Sequence, residues 1–492
     1  MSSAIDLETR RCNGPRGLVT RREVLRLGAL GLSLPGSLAL RASALGAAAL
    51  GASARASGAI AGKAPRGFGR AESCIVLFAW GGMSHIDTWD LKPDAGSNIR
   101  SAFQPIPTRT PGYQICEHLP RLAQQTHRMA IVRSAHHQAP SHRSAAYWNL
   151  TGHQPPNLSG NWPASRSDWP CVGSLVWQAD ATGQRSHSRP APGAMPGALA
   201  IPYPMYDGGD ANGQDAGFLG LAWDPVIVRP KDGRPYEGKS ADYGNLDFSY
   251  LDSVDRHRLV SRRSLFESFD ALRAKPGEGT ASLDRYQQQA LDLLLDPKAR
   301  QSFDLTSEPA NVRERYGMHI CGQSVLMARK LTEAGVPLVT VYCAAGDLNG
   351  SAGAHWDTHG DGFRRLRDHM LPPLDQASSA LLDDLAARDR LGNTLVVWLT
   401  EFGRTPRADG AGGRDHYPSV YSVAFAGAGI AGGLVHGSSN ATGAEPRDDA
   451  CGPADLHATI LHALGVDPTF TIRDRDGRPL QATDGRALPI FG

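Results

Sequence analysis

Five short apolar runs punctuate the chain: SCIVLFAWG (73–81), MAIVRS (129–134), PLVTVYC (337–343), LVVWLT (395–400) and SVAFAG (422–427). Continuous runs of this length predict strands covered on both faces, because a strand with one wet face alternates apolar with polar residues. Between them the pattern turns helical at 321–334, closed by Gly335 and Pro337, and again at 363–387 and 454–464. Residues 256–273 and 283–295 also read as helices, whereas 155–250, rich in Pro, Gly, Asn and Trp, reads as an irregular insertion running over the sheet. The expected fold class is α/β, a largely parallel central sheet with helices on both faces. In such sheets ligands bind beyond the carboxyl ends of the strands. The run 395–400 ends there in a carboxylate, Glu401, followed by Phe402, Gly403 and Arg404.

The first 70 residues read differently. Thr20-Arg21-Arg22-Glu23-Val24-Leu25-Arg26 sets an arginine pair directly before a modest stretch, 27–56, rich in Ala, Gly, Leu and Ser. This resembles a twin-arginine export signal. A spanning helix needs roughly 20 continuous apolar residues, and Arg41 with the glycines interrupts that length, so no stable membrane span is expected. Small-x-small sites such as Ala52-Ser53-Ala54 and Ala54-Arg55-Ala56 offer cleavage points, and the mature chain is expected to begin between 55 and 70. The resemblance implies the twin-arginine machinery as a partner, a periplasmic or extracellular destination, and export of an already folded chain, often with a metal or cofactor loaded.

Residues 71–492 are expected to form one domain. With 41% hydrophobic residues in a chain of 492, a sizeable core is available. The 51 basic and 49 acidic side chains leave a net charge of +2, which gives no drive toward nucleic acid. The seven cysteines (12, 74, 116, 171, 321, 343 and 451) show no C-x-x-C spacing. That argues against a thiolate zinc site and reads most of them as small buried residues, with one or two disulfides left open.

LDQASSALLDDLAARDRLGNTLVVWLTEFG (374–403) resembles the helix, turn and strand of sulfatases and alkaline phosphatases, whose strand ends in Ser/Thr-Asp-His-Gly with Asp and His on a metal. Here the positions read Thr400-Glu401-Phe402-Gly403: a carboxylate is kept and the histidine is gone. GRDHYPSVYSVAFAGAGIAGGLVHG (413–437) resembles the segment carrying a late histidine ligand, DLHATILHALGVDP (455–468) the C-terminal helix, and APSHRSAAYWNLTG (139–152) the sulfatase nucleophile helix. With GGMSHIDTWDLKP (81–93), GFLG (217–220), HWDTHG (355–360) and TEFGRTPR (400–407), the whole is similar to the domain of unknown function 1501 family over nearly all of 73–470. The resemblance implies an alkaline-phosphatase-like fold.

His355, Asp357 and His359 alternate along an extended stretch, so their side chains can point one way and converge on a cation. Imidazoles with a carboxylate suit zinc, manganese or iron better than magnesium or calcium. The plainer alternative has Asp357 capping the helix that follows. The resemblance implies His416 as a further ligand, with Asp415 orienting an imidazole. Glu401 needs a partner, since desolvating an unpaired ion costs roughly several kcal/mol; the candidates are the cation, with Glu401 as ligand or base, and Arg404 or Arg407. After the first strand the phosphatases' metal-binding Asp is absent from Gly81-Gly82-Met83. His85 and Asp87 could reach back as ligands, and the amides of 81–84 could meet an anion. One ion, zinc or manganese, is expected rather than two.

The nucleophile position falls on Gln138, which cannot attack. Ser141 or Ser144 could serve with His137 or His142 as base, although a serine opening a helix more often caps it. A cation that lowers the pKa of water to about 7 would need neither serine. Arg143 and Arg404 are the expected contacts to an anionic substrate. Two functions remain open. One is an exported metal-dependent hydrolase of a sulfate or phosphate ester, small or carried on a sulfated or phosphorylated polymer. The other is a binding or assembly protein that keeps the fold without turnover. They separate on metal content, near one equivalent against none.

Overall fold

In the computed structural model the described residues are 65–160, 162–187, 195–228, 292–293, 295–343, 355–410, 412–467 and 469–492. The chain divides into Met1–Lys63 and Ala64–Gly492. The first unit, with the arginine pair, lies outside the described residues, as do 256–273, nearly all of 283–295, and 229–250 of the irregular region.

Eight strands among the described residues build the central sheet: β1 (Ser73–Phe78), β2 (Met129–Ala135), β3 (Ala198–Ile201), β4 (Val226–Ile227), β5 (Leu338–Tyr342), β6 (Thr394–Leu399), β7 (Tyr421–Ala426) and β8 (Leu434–His436). Their order across the sheet is β8-β2-β7-β6-β1-β5-β3-β4. Only β7 runs against its neighbours β2 and β6; the other pairings are parallel. The five expected strands are all present. The three that were not expected, β3, β4 and β8, are short and lie toward the sheet's margins, where two to four residues give too little periodicity to read.

Among the described residues five helices cover the sheet: α1 (His142–Thr151), α2 (Val172–Ala181), α3 (Ile320–Glu333), α4 (Leu371–Ala387) and α5 (Pro453–Ala463). α3 packs on β1, β5 and α4 to form one layer, and α1, α2 and α5 pack together in the other. This double cover is why every residue of β1, β5, β6 and β7 is buried. Fully burying side chains such as Ile75, Leu77 and Val397 stabilises the fold by about 1.5–3 kcal/mol each.

The expected helix 363–387 is real but interrupted. A helical turn at Gly362–Arg365 passes through a π turn, Leu366–Met370, before α4 begins at Leu371 with two prolines in its first turn. Pro372 and Pro373 have no amide hydrogen to continue the regular ladder, which accounts for the change of pitch. At the other end, Gly69 and Ala71 donate to the His462 and Ala463 carbonyls of α5, and Phe68 meets the His462 ring edge-on. Residues 68–71 are therefore packed against the end of α5. Among the described residues all six cysteines are buried and free, and no helix is long and apolar enough to cross a membrane.

Candidate metal centre

β6, β1 and β5 are adjacent and parallel, so their carboxyl ends open on one edge of the sheet. Beyond that edge the chain leaving β6 is pinned to the chain leaving β1. Thr400 Oγ1 donates to the Ala79 carbonyl (3.1 Å) and accepts from Met83 N (2.8 Å), and Gly81 N donates to Glu401 Oε1 (2.8 Å). Glycine is required for so close an approach. A Cβ on Gly81, at φ +118°, would lie 2.3 Å from Asp357 N, and one on Gly82, at φ +81°, 2.5 Å from the Phe402 ring. The glycine pair standing where phosphatases carry a metal-binding Asp thus lets three strand-end loops close on one another.

After Phe402 the chain forms a two-residue ribbon, Gly403–Arg404 against His416–Tyr417, with His416 opposite Arg404. Side chains at opposed positions share a face, and here both reach Asp357. Arg404 Nη2 lies 2.6 Å and His416 Nε2 3.3 Å from Asp357 Oδ1. His359 Nε2 approaches the same oxygen to 3.1 Å, and His142 Nε2, from the first residue of α1, to 3.3 Å. The Nε2 atoms of His359 and His416 are 2.9 Å apart.

The opposite nitrogen of each ring explains the arrangement. His142 Nδ1 meets Glu401 Oε1 at 2.7 Å, His359 Nδ1 meets Asp415 Oδ1 at 2.8 Å, and His416 Nδ1 meets the Pro140 carbonyl at 2.8 Å. Carboxylates and carbonyls only accept, so each Nδ1 carries a proton; a neutral ring then turns its Nε2 lone pair toward Asp357, and a protonated ring donates to it. Lone pairs and a carboxylate at these separations repel unless a positive charge lies among them, and Arg404, a second proton on an imidazole or a bound cation would each supply one. His142 Nε2 is moreover buried and, despite its distance from Asp357, has no aligned hydrogen-bond partner. The donor atoms of His142, Asp357 and His416 all lie within 4.8 Å of one another, a His/His/Asp cluster suitable for a divalent metal.

Burial opposes ionisation of Asp357, but the close approach of His142, His359 and His416 and the charge of Arg404 outweigh it and hold the carboxyl well below its ordinary range. Burial also opposes a charged His142, yet Asp357 and Glu401 raise its pKa on balance, while at His416 burial wins and the pKa falls. The hydrogen bond to Asp357 is the main cause raising His359. Asp357 thus stays ionised at the centre of the cluster, with Arg404 and the imidazoles around it.

Apolar rings hold the imidazoles in place. Phe402, where the resembling enzymes carry a histidine, packs 4.9 Å from the His142 ring centroid and 4.6 Å from that of His416, and Trp80 meets His142 edge-on at 5.4 Å. The Glu401 carbonyl is fixed by His137 Nε2 (2.6 Å) and Asn149 Nδ2 (2.9 Å), and Tyr421 OH donates to Asn149 Oδ1 (2.8 Å).

Residues 71–490 match the family described as protein of unknown function (DUF1501). The chain belongs to that family. A search of curated proteins gives no match. Similar solved structures include an i-CgsB protein labelled Ps (12% identity, 84% of this chain and 74% of that one, TM-score 0.39). A sulfatase from Pseudoalteromonas sp. is similar at 12% identity over 85% and 72% of the two chains (TM-score 0.36). So is a phosphonate monoester hydrolase from Silicibacter pomeroyi, at 10% identity over 85% and 76% (TM-score 0.36).

Of the expected site residues, the structure gathers His142, Asp357, His359, His416, Glu401 and Arg404, with Asp415 behind His359. The others lie elsewhere. His355 turns away because Arg365 clamps the loop, its Nη2 lying 3.2 Å from His355 Nε2 and its Nη1 donating to the Asp357 carbonyl at 2.8 Å. Trp356, anchored on the Cys343 carbonyl at 2.8 Å, makes the bend that breaks the expected alternation. Asp87 is not a ligand: it holds Arg414 with both oxygens, at 2.8 and 3.1 Å, in a buried pair. His85 bonds through Nε2 to the Gly443 carbonyl at 2.8 Å, and its Nδ1 is buried without a hydrogen-bond partner, outside the His142/Asp357/His416 cluster.

The amides of Gly81 and Met83, expected to face an anion, serve Glu401 and Thr400 instead. Arg404 does not pair with Glu401 and is no anion contact. It is fully buried, and its guanidinium serves the carbonyls of Gly81, Gly82 and Arg414 besides Asp357. Arg143 points into the insertion, where Nη2 donates to the carbonyls of Trp162 (3.2 Å) and Asp210 (2.8 Å). Ser144 Oγ donates to the Asn157 and Gly160 carbonyls at 2.8 and 3.0 Å, which removes it as a nucleophile. Ser141 opens α1 without a side-chain capping bond. Two elements of the centre were not foreseen: the Pro140 carbonyl, which no side-chain pattern signals, and the Phe402 and Trp80 walls, which in sequence read only as a lost histidine and a strand end.

Proposed function

We propose that the protein is an exported, metal-dependent hydrolase of a sulfate or phosphate ester, small or borne on a polymer, with one divalent cation held by His142, Asp357 and His416 and completed by His359. The observation that carries this reading is the convergence of three Nε2 atoms on Asp357 Oδ1 while every Nδ1 is held by an acceptor. That is the arrangement by which proteins orient histidine ligands. A zinc- or manganese-like ion bound there supplies Lewis acidity and acidifies water. The chain's own residues do the rest: Glu401 and the Pro140 carbonyl fix the tautomers of His142 and His416, Phe402 and Trp80 keep water from the buried side, and His359 faces solvent. The ester class rests on the resemblance of segments 139–152, 374–403 and 413–437 to sulfatases and phosphatases. Ser141, which opens α1 without a side-chain capping bond, stays a candidate nucleophile.

One observation favours the non-catalytic binding reading. Arg404 already places a cationic group 2.6 Å from Asp357 Oδ1, so the carboxylate is paired without any ion. The two readings separate in one experiment. Full-length protein with added manganese or zinc is offered aryl sulfates and aryl phosphates, with a chelator and the Asp357→Asn variant as controls. Hydrolysis lost in both controls supports the enzyme; folded, metal-loaded protein that cleaves neither ester class supports binding.

A further inference from the structure

The four groups around Asp357 Oδ1 are not equivalent. His142 is 5% exposed and its supporting carboxylate, Glu401, is wholly buried. His416 is 23% exposed and is backed by a main-chain carbonyl that cannot move independently of α1. His359 is 46% exposed and is backed by Asp415, a side chain 79% exposed. It also sits on a loop of different character: Gly360 follows it, with open space where a Cβ would be, and Asp361 takes a left-handed φ of 52°. A ring so placed pivots toward solvent without leaving a buried polar atom unpaired, whereas withdrawing His142 would strand Glu401 in the core.

We infer that His359 is the replaceable member of the set: it holds the solvent side of the cation at rest and yields that position to an oxygen of the substrate. The inference rests on the cation reading above and adds to it an order among the ligands. A three-ligand core of His142, Asp357 and His416, with its fourth place open to exchange, is the coordination pattern that catalytic sites keep and closed structural sites lack. The exchange is a ligand substitution with no change of oxidation state: one nitrogen–metal bond breaks and one oxygen–metal bond forms.

Cobalt(II) is the probe, since its visible absorption reports the donor set and its stoichiometry can be counted without any turnover. Full-length wild type, His359→Ala, His142→Ala and His416→Ala are compared, each checked for native circular dichroism. Wild type is expected to bind about one equivalent. His359→Ala is expected to keep that stoichiometry with affinity reduced by roughly tenfold, at the low end for altered support of a metal site, and with an altered spectrum that millimolar imidazole restores. Inorganic phosphate should bind the His359→Ala cobalt form more tightly than the wild-type form, having no imidazole to displace. His142→Ala or His416→Ala, whichever stays folded, should lose the cobalt. If His359→Ala loses cobalt as completely as the buried-ligand variants, or its spectrum matches wild type, the inference is overturned while the cation site stands. If folded wild type binds no cobalt, the site itself falls.

Discussion

Replacing Glu401 with Gln probes the centre with little disturbance to its shape. Gly81 N and His142 Nδ1 both bond the same oxygen, Oε1, at 2.8 and 2.7 Å. A glutamine carbonyl can accept both, so geometry survives and only the charge is lost. Hydrogen bonds to a charged group are worth about 1.5–3 kcal/mol against about 0.5–1.5 for neutral ones. The His142 contact should therefore weaken by about 1–2 kcal/mol, which lowers metal affinity roughly 5- to 30-fold. Stability of the metal-free protein should change by less than about 1 kcal/mol, because the buried charge removed was itself costly to desolvate. Zinc affinity is read by competition with a chromophoric chelator, and stability by urea unfolding. Unchanged affinity would show that Glu401 does not act through His142. A loss beyond about 1,000-fold, far outside the range for supporting residues, would make Glu401 a direct ligand instead.

Asp87→Ala strands Arg414 in the core and should cost about 3–5 kcal/mol in urea unfolding, yet metal bound per folded molecule should equal wild type; a parallel loss of metal would return Asp87 to the ligand set. Burial pushes His137 and His457 down to about 4, so between pH 6.5 and 4 the unfolded chain binds protons that the folded chain does not. Stability is then lost as pH falls through that window, about 2 kcal/mol for each histidine by pH 5, and urea midpoints that stay level from pH 7 to 5 would contradict this. Arg21→Lys with Arg22→Lys should leave full-length protein in the cytoplasm on cell fractionation; export at the wild-type level would refute the twin-arginine reading.

The sheet was legible because its central strands are covered on both faces and so appear as unbroken apolar runs, from SCIVLF to YSVAFA. The margins were not, since a two-residue strand such as Val226–Ile227 owes its place to the neighbour it pairs with. At the centre, sequence reasoning found Asp357, His359 and His416 because the residue types are scarce and cluster at strand ends, and placed His142 nearby on its segment's resemblance. It misjudged residues whose roles depend on what faces them. Asp87 reads as a ligand until Arg414, more than 300 positions away, is seen to fill it. Arg404 reads as an anion contact or as the partner of Glu401 until Gly81 and Gly82 supply the carbonyls that consume it. Glu401 posed the right question, but its partner lies on α1, far from it in sequence.

The central claim is that one cation sits among His142, Asp357 and His416, and diffraction from zinc- or manganese-loaded crystals, recorded across the metal's absorption edge, tests it most directly. A single anomalous peak is expected about 2.0–2.2 Å from His142 Nε2, Asp357 Oδ1 and His416 Nε2. A peak at any other place, or none there while Arg404 alone occupies Asp357, would contradict it.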